Sequence, residues 1–325
     1  MKTILNDIRE GKLKKAYLLY GDEVYLKHQY RDNLLKAMDA TGDSMNFSKF
    51  EGKDIEIREV IEVAETMPFF ADYRTVLIVD SGWFEKATDE MCEYLKHPAE
   101  TTRFIFVESK VDKRGRMFKT VKDLGNAVEF VEQDEAVLRK WITGLLQKEG
   151  KQITSPTLQF FLQRTGTDMN NIRTEIEKLV CYLGERTMVE QQDVEDIVTT
   201  RVQNHIFDMI SAIAMKKQQR ALQLYYDLLM LRESPMGILT LITRQFNLLM
   251  QTKELRNKGY DKNGIAKKLK LQPFVAEKYI QQAAGFKYAT LREVFEECVN
   301  ADEAIKTGRM QDMLCVELLI VKFSR

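Results

Sequence analysis

Cysteine, histidine, proline and tryptophan are all scarce in this chain: 4 Cys, 3 His, 5 Pro and 2 Trp among 325 residues. The cysteines (Cys92, Cys181, Cys298, Cys315) lie far apart and form no CxxC pair. That spacing argues against a zinc site or a disulfide framework and fits buried free thiols in a reducing compartment. His28, His97 and His205 are equally scattered, which disfavours a histidine metal site or a catalytic triad. With few prolines and only 16 glycines, long linkers and low-complexity tracts have no room. Charge of one sign is not in excess either, since 49 basic residues balance 49 acidic ones. A protein that coats nucleic acid non-specifically would be basic throughout. The longest apolar runs, such as TVLIV and LLIV, are far too short to span a bilayer. The start, MKTILNDIREGKLKKAY, is charged throughout and lacks the apolar core of a signal peptide. A soluble, cytoplasmic protein without membrane contact is expected.

What is present is a 44% apolar composition, ample for a real core. The length suggests about two domains, or three small ones. Charge is distributed unevenly: 21 basic and 26 acidic residues up to Asp134, then 28 and 23. Four compact runs in the first part read as strands: Ala16–Tyr20, 75–80, 103–108 and 127–132. Nearly continuous apolar strands are covered on both faces, hence belong to a parallel sheet. Helical patterns fall between them, at Val24–Ala37, 55–66, 88–96 and Arg116–Leu124. The alternation predicts an α/β layer architecture over residues 1–134.

Beyond Glu132 the pattern turns helical. Segments 136–148, 155–164, 168–183 and 190–197 predict an all-α middle domain, 135–203, with a short extended piece within 187–193. Ser155-Pro156 reads as an N-cap with proline at N1, and Gly150, Gly166 and Gly184 fall at breaks. Seven further helices are expected in an all-α domain over 204–325, at 206–215, 218–231, 235–258, 263–269, Pro273–Ala284, 290–307 and 311–323. Leu239, Ile242, Phe246, Leu249 and Met250 mark the core face of the longest.

A sheet of this class binds ligands at the carboxyl ends of its strands. The first such loop runs Tyr20-Gly21-Asp22-Glu23-Val24. A phosphate-binding loop would need GxxxxGK[ST], with backbone N–H groups to cradle phosphate, a lysine to neutralise it and a hydroxyl for Mg²⁺. Here one glycine and two acids stand instead, and Lys27 reads as a solvated helix residue. Asp80, at the end of an apolar strand, lacks a neighbouring second carboxylate and reads as a turn or cap acceptor. No catalytic residues are assigned.

Seven segments in order resemble one family. They are AYLLYGDEVYL from Ala16, TMPFFADYRTVLI from Thr66, FVESKVDKR from Phe106, DMNNIRTEIEKL from Asp168, NHIFDMI from Asn204, IAKKL from Ile265 with Pro273-Phe274, and Ala301-Asp302 with Lys306-Thr307-Gly308. Together they resemble the delta subunit of the bacterial DNA polymerase III clamp loader, over essentially the whole chain. The resemblance implies an AAA+-type α/β domain, a helical lid and a helical collar, with the ATPase function lost. The family grips the sliding clamp through an apolar pair after its second helix, and the matching residues are Phe69 and Phe70. Where the family pattern is Leu–Phe, this chain has two phenylalanines, which alters the anchor's shape. The alternative is that both rings close the helix–sheet core.

The resemblance further implies motor and delta-prime-type partner subunits that use ATP and Mg²⁺, no cofactor bound by this chain, and primed DNA within the assembly. Phosphate contacts are expected from Lys267, Lys268 and Lys270, because 244–278 holds nine basic and three acidic residues. The same stretch has helix-turn-helix spacing and offers the rival reading, a DNA-binding regulator.

Overall fold

The structure, a computed structural model, describes residues 1–40, 45–85, 88–198 and 202–325. They divide into two compact units, Met1–Gln133 and Asp134–Arg325.

The first unit runs α1 (Lys2–Glu10), β1 (Ala16–Tyr20), α2 (Val24–Ala37), β2 (Phe47–Glu51), α3 (Ile57–Glu65), β3 (Arg74–Val79), α4 (Asp89–Tyr94), β4 (Thr102–Glu108), α5 (Arg116–Leu124) and β5 (Gly125–Glu129). The strands form one parallel sheet in the order β2-β3-β4-β1-β5. Successive side chains of a strand point to opposite faces. Ala16, Leu18, Val76, Ile78, Phe104 and Phe106 therefore share one face, packed on Val60 and Ala64 of α3, Met91 of α4 and Val121 of α5. On the alternate positions Tyr17, Leu19, Leu77 and Ile105 are also buried, and α2 lies against β1 and β4. The parallel-sheet α/β class expected from the apolar runs is what forms.

Two elements of this unit had no counterpart in the sequence reading. The helix α1 is tied down by Asp7, whose carboxylate accepts from the Tyr17 hydroxyl at 3.0 Å and from Asn126 Nδ2 at 2.6 Å. The strand β2 is a half-exposed edge with weak alternation, so its apolar signal is faint. Segment 127–132 is also displaced, since β5 ends at Glu129.

The second unit holds α6 (Glu135–Lys148), β6 (Gln152–Ile153), α7 (Ser155–Thr165), α8 (Met169–Leu183), β7 (Met188–Val189), α9 (Gln191–Ile197), α10 (Val202–Ala214), α11 (Gln218–Met230), α12 (Pro235–Asn257), α13 (Lys262–Leu269), α14 (Pro273–Ala284), α15 (Tyr288–Lys306) and α16 (Asp312–Phe323). Helix starts follow short polar caps: Asp134, Asp168, Ser234 and Asp261 each accept from a backbone N–H three residues on. Thr154, not Ser155, caps α7, which makes Ser155 its first helical residue. The strands β6 and β7 pair in parallel over two residues each. Helices α10 to α12 and α14 to α16 enclose a core that includes Met209, Tyr225, Leu239, Ile242, Phe246 and Leu249. Of the four cysteines, Cys181 is exposed and only the other three are buried. Cys181 lies on the outer side of α8, whose apolar face is carried by Ile172, Ile176, Leu179 and Leu183.

Gly125 opens β5 where no side chain fits. A Cβ there would lie 1.9 Å from the Ala16 carbonyl oxygen. Gly125→Ala is expected to cost a few kcal/mol by displacing β5 from β1. A denaturant titration should show a lowered midpoint, and an unchanged midpoint would contradict the close approach.

Candidate partner-binding site

The two edges of the sheet differ. At the carboxyl edge, the turn after β1 is occupied by the chain itself. The Phe130 carbonyl accepts from Glu23 N–H at 3.0 Å, and Phe130 N–H donates to Tyr20 O at 2.6 Å. A Cβ at Gly21, which has φ +113°, would lie 2.4 Å from that same carbonyl oxygen. Glu23 is buried and its carboxylate accepts from Tyr25 N–H at 3.2 Å, so an acid of the chain stands at the start of α2. That is the place a helix N-terminus offers to an anion.

Lys27 corrects the sequence reading. It is buried, and its ammonium donates to the Glu108 carbonyl at 3.3 Å. Desolvation lowers its pKa, opposed by the charges of Asp80, Asp22, Glu108 and Glu23. The reason is placement: Lys27 projects from the first turn of α2 over the end of β4, so its ammonium is held inside the turn. Asp80 is an acceptor, taking bonds from Ser109 N–H at 3.1 Å and Oγ at 2.8 Å. Glu108 is buried beneath Ser81 and Gly82, accepting from both backbone N–H groups and from the Ser81 hydroxyl. Among the described residues no cluster of three metal-ligating side chains occurs.

The amino edge carries the aromatic pair. Helix α3 ends at Glu65, and Pro68 forbids its continuation. Phe70 is 95% exposed and Phe69 57%, so the pair does not close the helix–sheet core. The rings meet edge to face with centroids 4.6 Å apart. Phe70 has φ +52°, a left-handed conformation that a bulky side chain rarely adopts.

Three side chains fix this loop. The Arg74 guanidinium donates to Thr66 O at 2.9 Å. Asn46 binds both polar groups of the Phe69 backbone. Arg103 lies over the Tyr73 ring at 3.9 Å. Arg74, Arg103 and Asn46 are all buried; Arg74 opens β3, Arg103 is the second residue of β4, and Asn46 immediately precedes β2. Sequence reasoning named the rings but missed their supports, which show no local signal. It also numbered the preceding helix as the second, whereas α3 is the third.

In the second unit Lys267, Lys268 and Lys270 are exposed on and after α13, without a carboxylate partner among the described residues. Lys268 lies near the Tyr260 ring, 5.9 Å from its centroid. Helix α14, the would-be reading helix, turns Ala276, Tyr279, Gln282 and Ala283 inward. Its exposed Glu277 is paired with Lys262. Among the described residues no helix is long and apolar enough to cross a membrane.

Residues 17–131 match the family model described as DNA polymerase III, delta subunit, and residues 203–323 match that of its C-terminal domain. The chain belongs to the DNA polymerase III delta-subunit family. It is 27% identical to DNA polymerase III subunit delta of Bacillus subtilis, over 98% of this chain and 95% of that one. A probable DNA polymerase III subunit delta of Aquifex aeolicus is 21% identical over 77% and 74%. The solved structure of the Bacillus subtilis DNA clamp loader delta protein superposes with a TM-score of 0.70, covering 99% of this chain and 98% of that one. That likeness fits the parallel-sheet α/β region followed by many helices described above.

Burial raises the Glu108 pKa above its ordinary value, against the hydrogen bonds from Ser81 and Gly82. The folded chain thus holds this proton more tightly than the unfolded chain. The stability tied to it is full below the unfolded value, near pH 4.3, and is lost as pH rises through the folded value. Replacing Glu108 by Gln removes that dependence. Thermal melts taken from about pH 8 to about pH 5 should therefore shift in favour of the wild type over Glu108→Gln. Parallel pH profiles would count against a buried, titrating Glu108.

Proposed function

We propose that this chain is the clamp-loader subunit that binds the sliding clamp and opens it for loading onto primed DNA. The carrying observation is the exposed pair Phe69 and Phe70, on a backbone hydrogen-bonded to Asn46. An apolar side chain so fully hydrated is stabilised by entering a partner's apolar pocket. The clamp ring is the occupant that family membership favours.

The chain is taken to hydrolyse no ATP itself. Supporting this, Phe130 and Glu23 use the backbone N–H groups after β1 that a phosphate would need. ATP and Mg²⁺ belong, in this reading, to motor subunits, which with a delta-prime-type subunit complete the loader in the cytoplasm. Residues 135–203 serve as lid and 204–325 as collar. Lys267, Lys268 and Lys270 touch the phosphates of enclosed DNA. The regulator alternative is not favoured, since α14 spends its apolar face on the core and exposes an ion-paired glutamate.

Burying one Phe is worth roughly 1.5–3 kcal/mol, and losing an anchor costs about 2 kcal/mol or more. Phe69→Ala with Phe70→Ala is expected to weaken clamp binding about a hundredfold, equivalent to about 2.8 kcal/mol. Because the rings are exposed, the melting temperature should barely move. A binding titration beside a thermal melt checks both, and unchanged affinity would end the anchor assignment.

The collar reading has its own test. Met313, Leu314 and Leu318 on α16 are exposed, and Tyr226 of α11 reaches across to Glu317 of the same helix. Leu291, Leu319 and Phe323, by contrast, are buried within the unit. Leu314→Ser with Leu318→Ser should lower assembly with the motor subunits by about tenfold or more, equivalent to about 1.4 kcal/mol, and leave folding intact. Analytical ultracentrifugation of the mixed subunits reads this out. Full assembly of the variant would show that the face does not serve the collar.

A further inference from the structure

We propose that Asn46 is the positioning residue of the aromatic pair, holding Phe69 and Phe70 in the geometry that enters the partner. This rests on the anchor reading above and adds the element that makes the anchor rigid. The Asn46 amide faces the Phe69 backbone squarely. Its Nδ2 donates to Phe69 O at 2.8 Å, and its Oδ1 accepts from Phe69 N–H at 2.6 Å. The two bonds resemble a single rung of a β ladder, made by a side chain in place of a strand. Asn46 is itself fixed, because its backbone carbonyl accepts from Thr75 N–H at 2.8 Å where β2 and β3 begin to pair. It is buried despite being polar, and a buried amide is retained where its bonds are made.

The consequence falls on the next residue. With the peptide groups on either side of Phe69 held, the chain turns at Phe70 through a left-handed φ of +52°. An unsupported loop would relax away from that conformation, because only glycine, asparagine and aspartate adopt it readily. The turn directs the Phe70 ring into solvent and sets it edge-on to Phe69. An asparagine is suited to this place because it carries a donor and an acceptor side by side on a short stem. Aspartate has the same shape but, ionised, cannot donate to the Phe69 carbonyl.

The test is a double-mutant cycle on the full-length chain, with the purified sliding clamp of the same organism as ligand. Asn46→Asp is made in the wild type and in the variant carrying Phe69→Ala and Phe70→Ala. At neutral pH, Asn46→Asp should weaken clamp binding about tenfold in the wild type and change it less than about twofold where the rings are absent. Should Asn46→Asp fail to fold by its thermal melt, Asn46→Ser completes the same cycle. An equal loss in both backgrounds would mean that Asn46 acts on something other than the rings, overturning the proposal. No loss in the wild type overturns it as well. If removing the rings alone leaves affinity unchanged, the anchor reading fails first and this inference falls with it. That result is distinct from a failed cycle in which the rings do matter.

Discussion

A parallel sheet sends every strand across in the same direction, so its two edges gather loops of different kinds. In this chain that constraint governs the whole first unit. The loops leaving β1, β3 and β4 meet at the carboxyl edge, and the chain packs them against one another. Phe130 closes over the Gly21 turn, Glu23 sits at the start of α2, and Lys27 and Glu108 are buried between. The loops entering the strands meet at the opposite edge, where Asn46, Arg74 and Arg103 are turned to a mechanical task. The carboxyl edge buries Glu23, Lys27 and Glu108 while Asp22, Val24 and Asp80 stay exposed, and the amino edge carries the exposed ring of Phe70. At the carboxyl edge, where the sequence directs a search for a ligand, stand the Phe130 backbone carbonyl and the side chains of Glu23, Lys27 and Glu108.

The strand and helix pattern was legible because the governing signals were local. Buried strands such as β3 and β4 are apolar nearly throughout, and Ser, Asp and Gly punctuate the helices of the second unit. What escaped was set by tertiary context. The edge strand β2 reads FSKFE, with charge and aromatic mixed, because one side of it meets water. Helix α1 owes its place to Asp7 bonding Tyr17 and Asn126, residues far along the chain or on another element. Lys27 looked like any lysine on a helix, and only the position of Glu108, 81 residues away, makes it an interior cation. Asn46 likewise is one asparagine among many until the chain brings Phe69 to it. The aromatic pair itself was visible, since two adjacent rings after a proline cannot both serve one face, but its exposure was not.

The second unit follows a different logic. Its core is assembled from long amphipathic helices, and one set of its buried polar side chains is satisfied within a chain of hydrogen bonds. Tyr279 donates to Gln245 at 2.6 Å, Gln245 to Gln282 at 2.8 Å, and Gln282 to Ser211 at 2.7 Å. A network of that kind fixes which helices pack together, because a misplaced partner leaves an amide unpaired in an apolar setting. It also commits one face of α14, carrying Tyr279 and Gln282, to the core, while Glu277 and Gln281 stay exposed on the other.

The edge-to-face contact between Phe69 and Phe70 has a kinetic meaning. Two flexible aromatic side chains would have to be ordered during encounter, and the fraction of collisions that succeed would fall accordingly. Here each ring already restricts the other, and the backbone beneath them is clamped. On the anchor reading proposed above, the wedge arrives in its final shape, so the ordering cost is met when the chain folds. Encounter then depends on diffusion and orientation, and the depth of the partner's pocket is felt chiefly in how long the complex lasts.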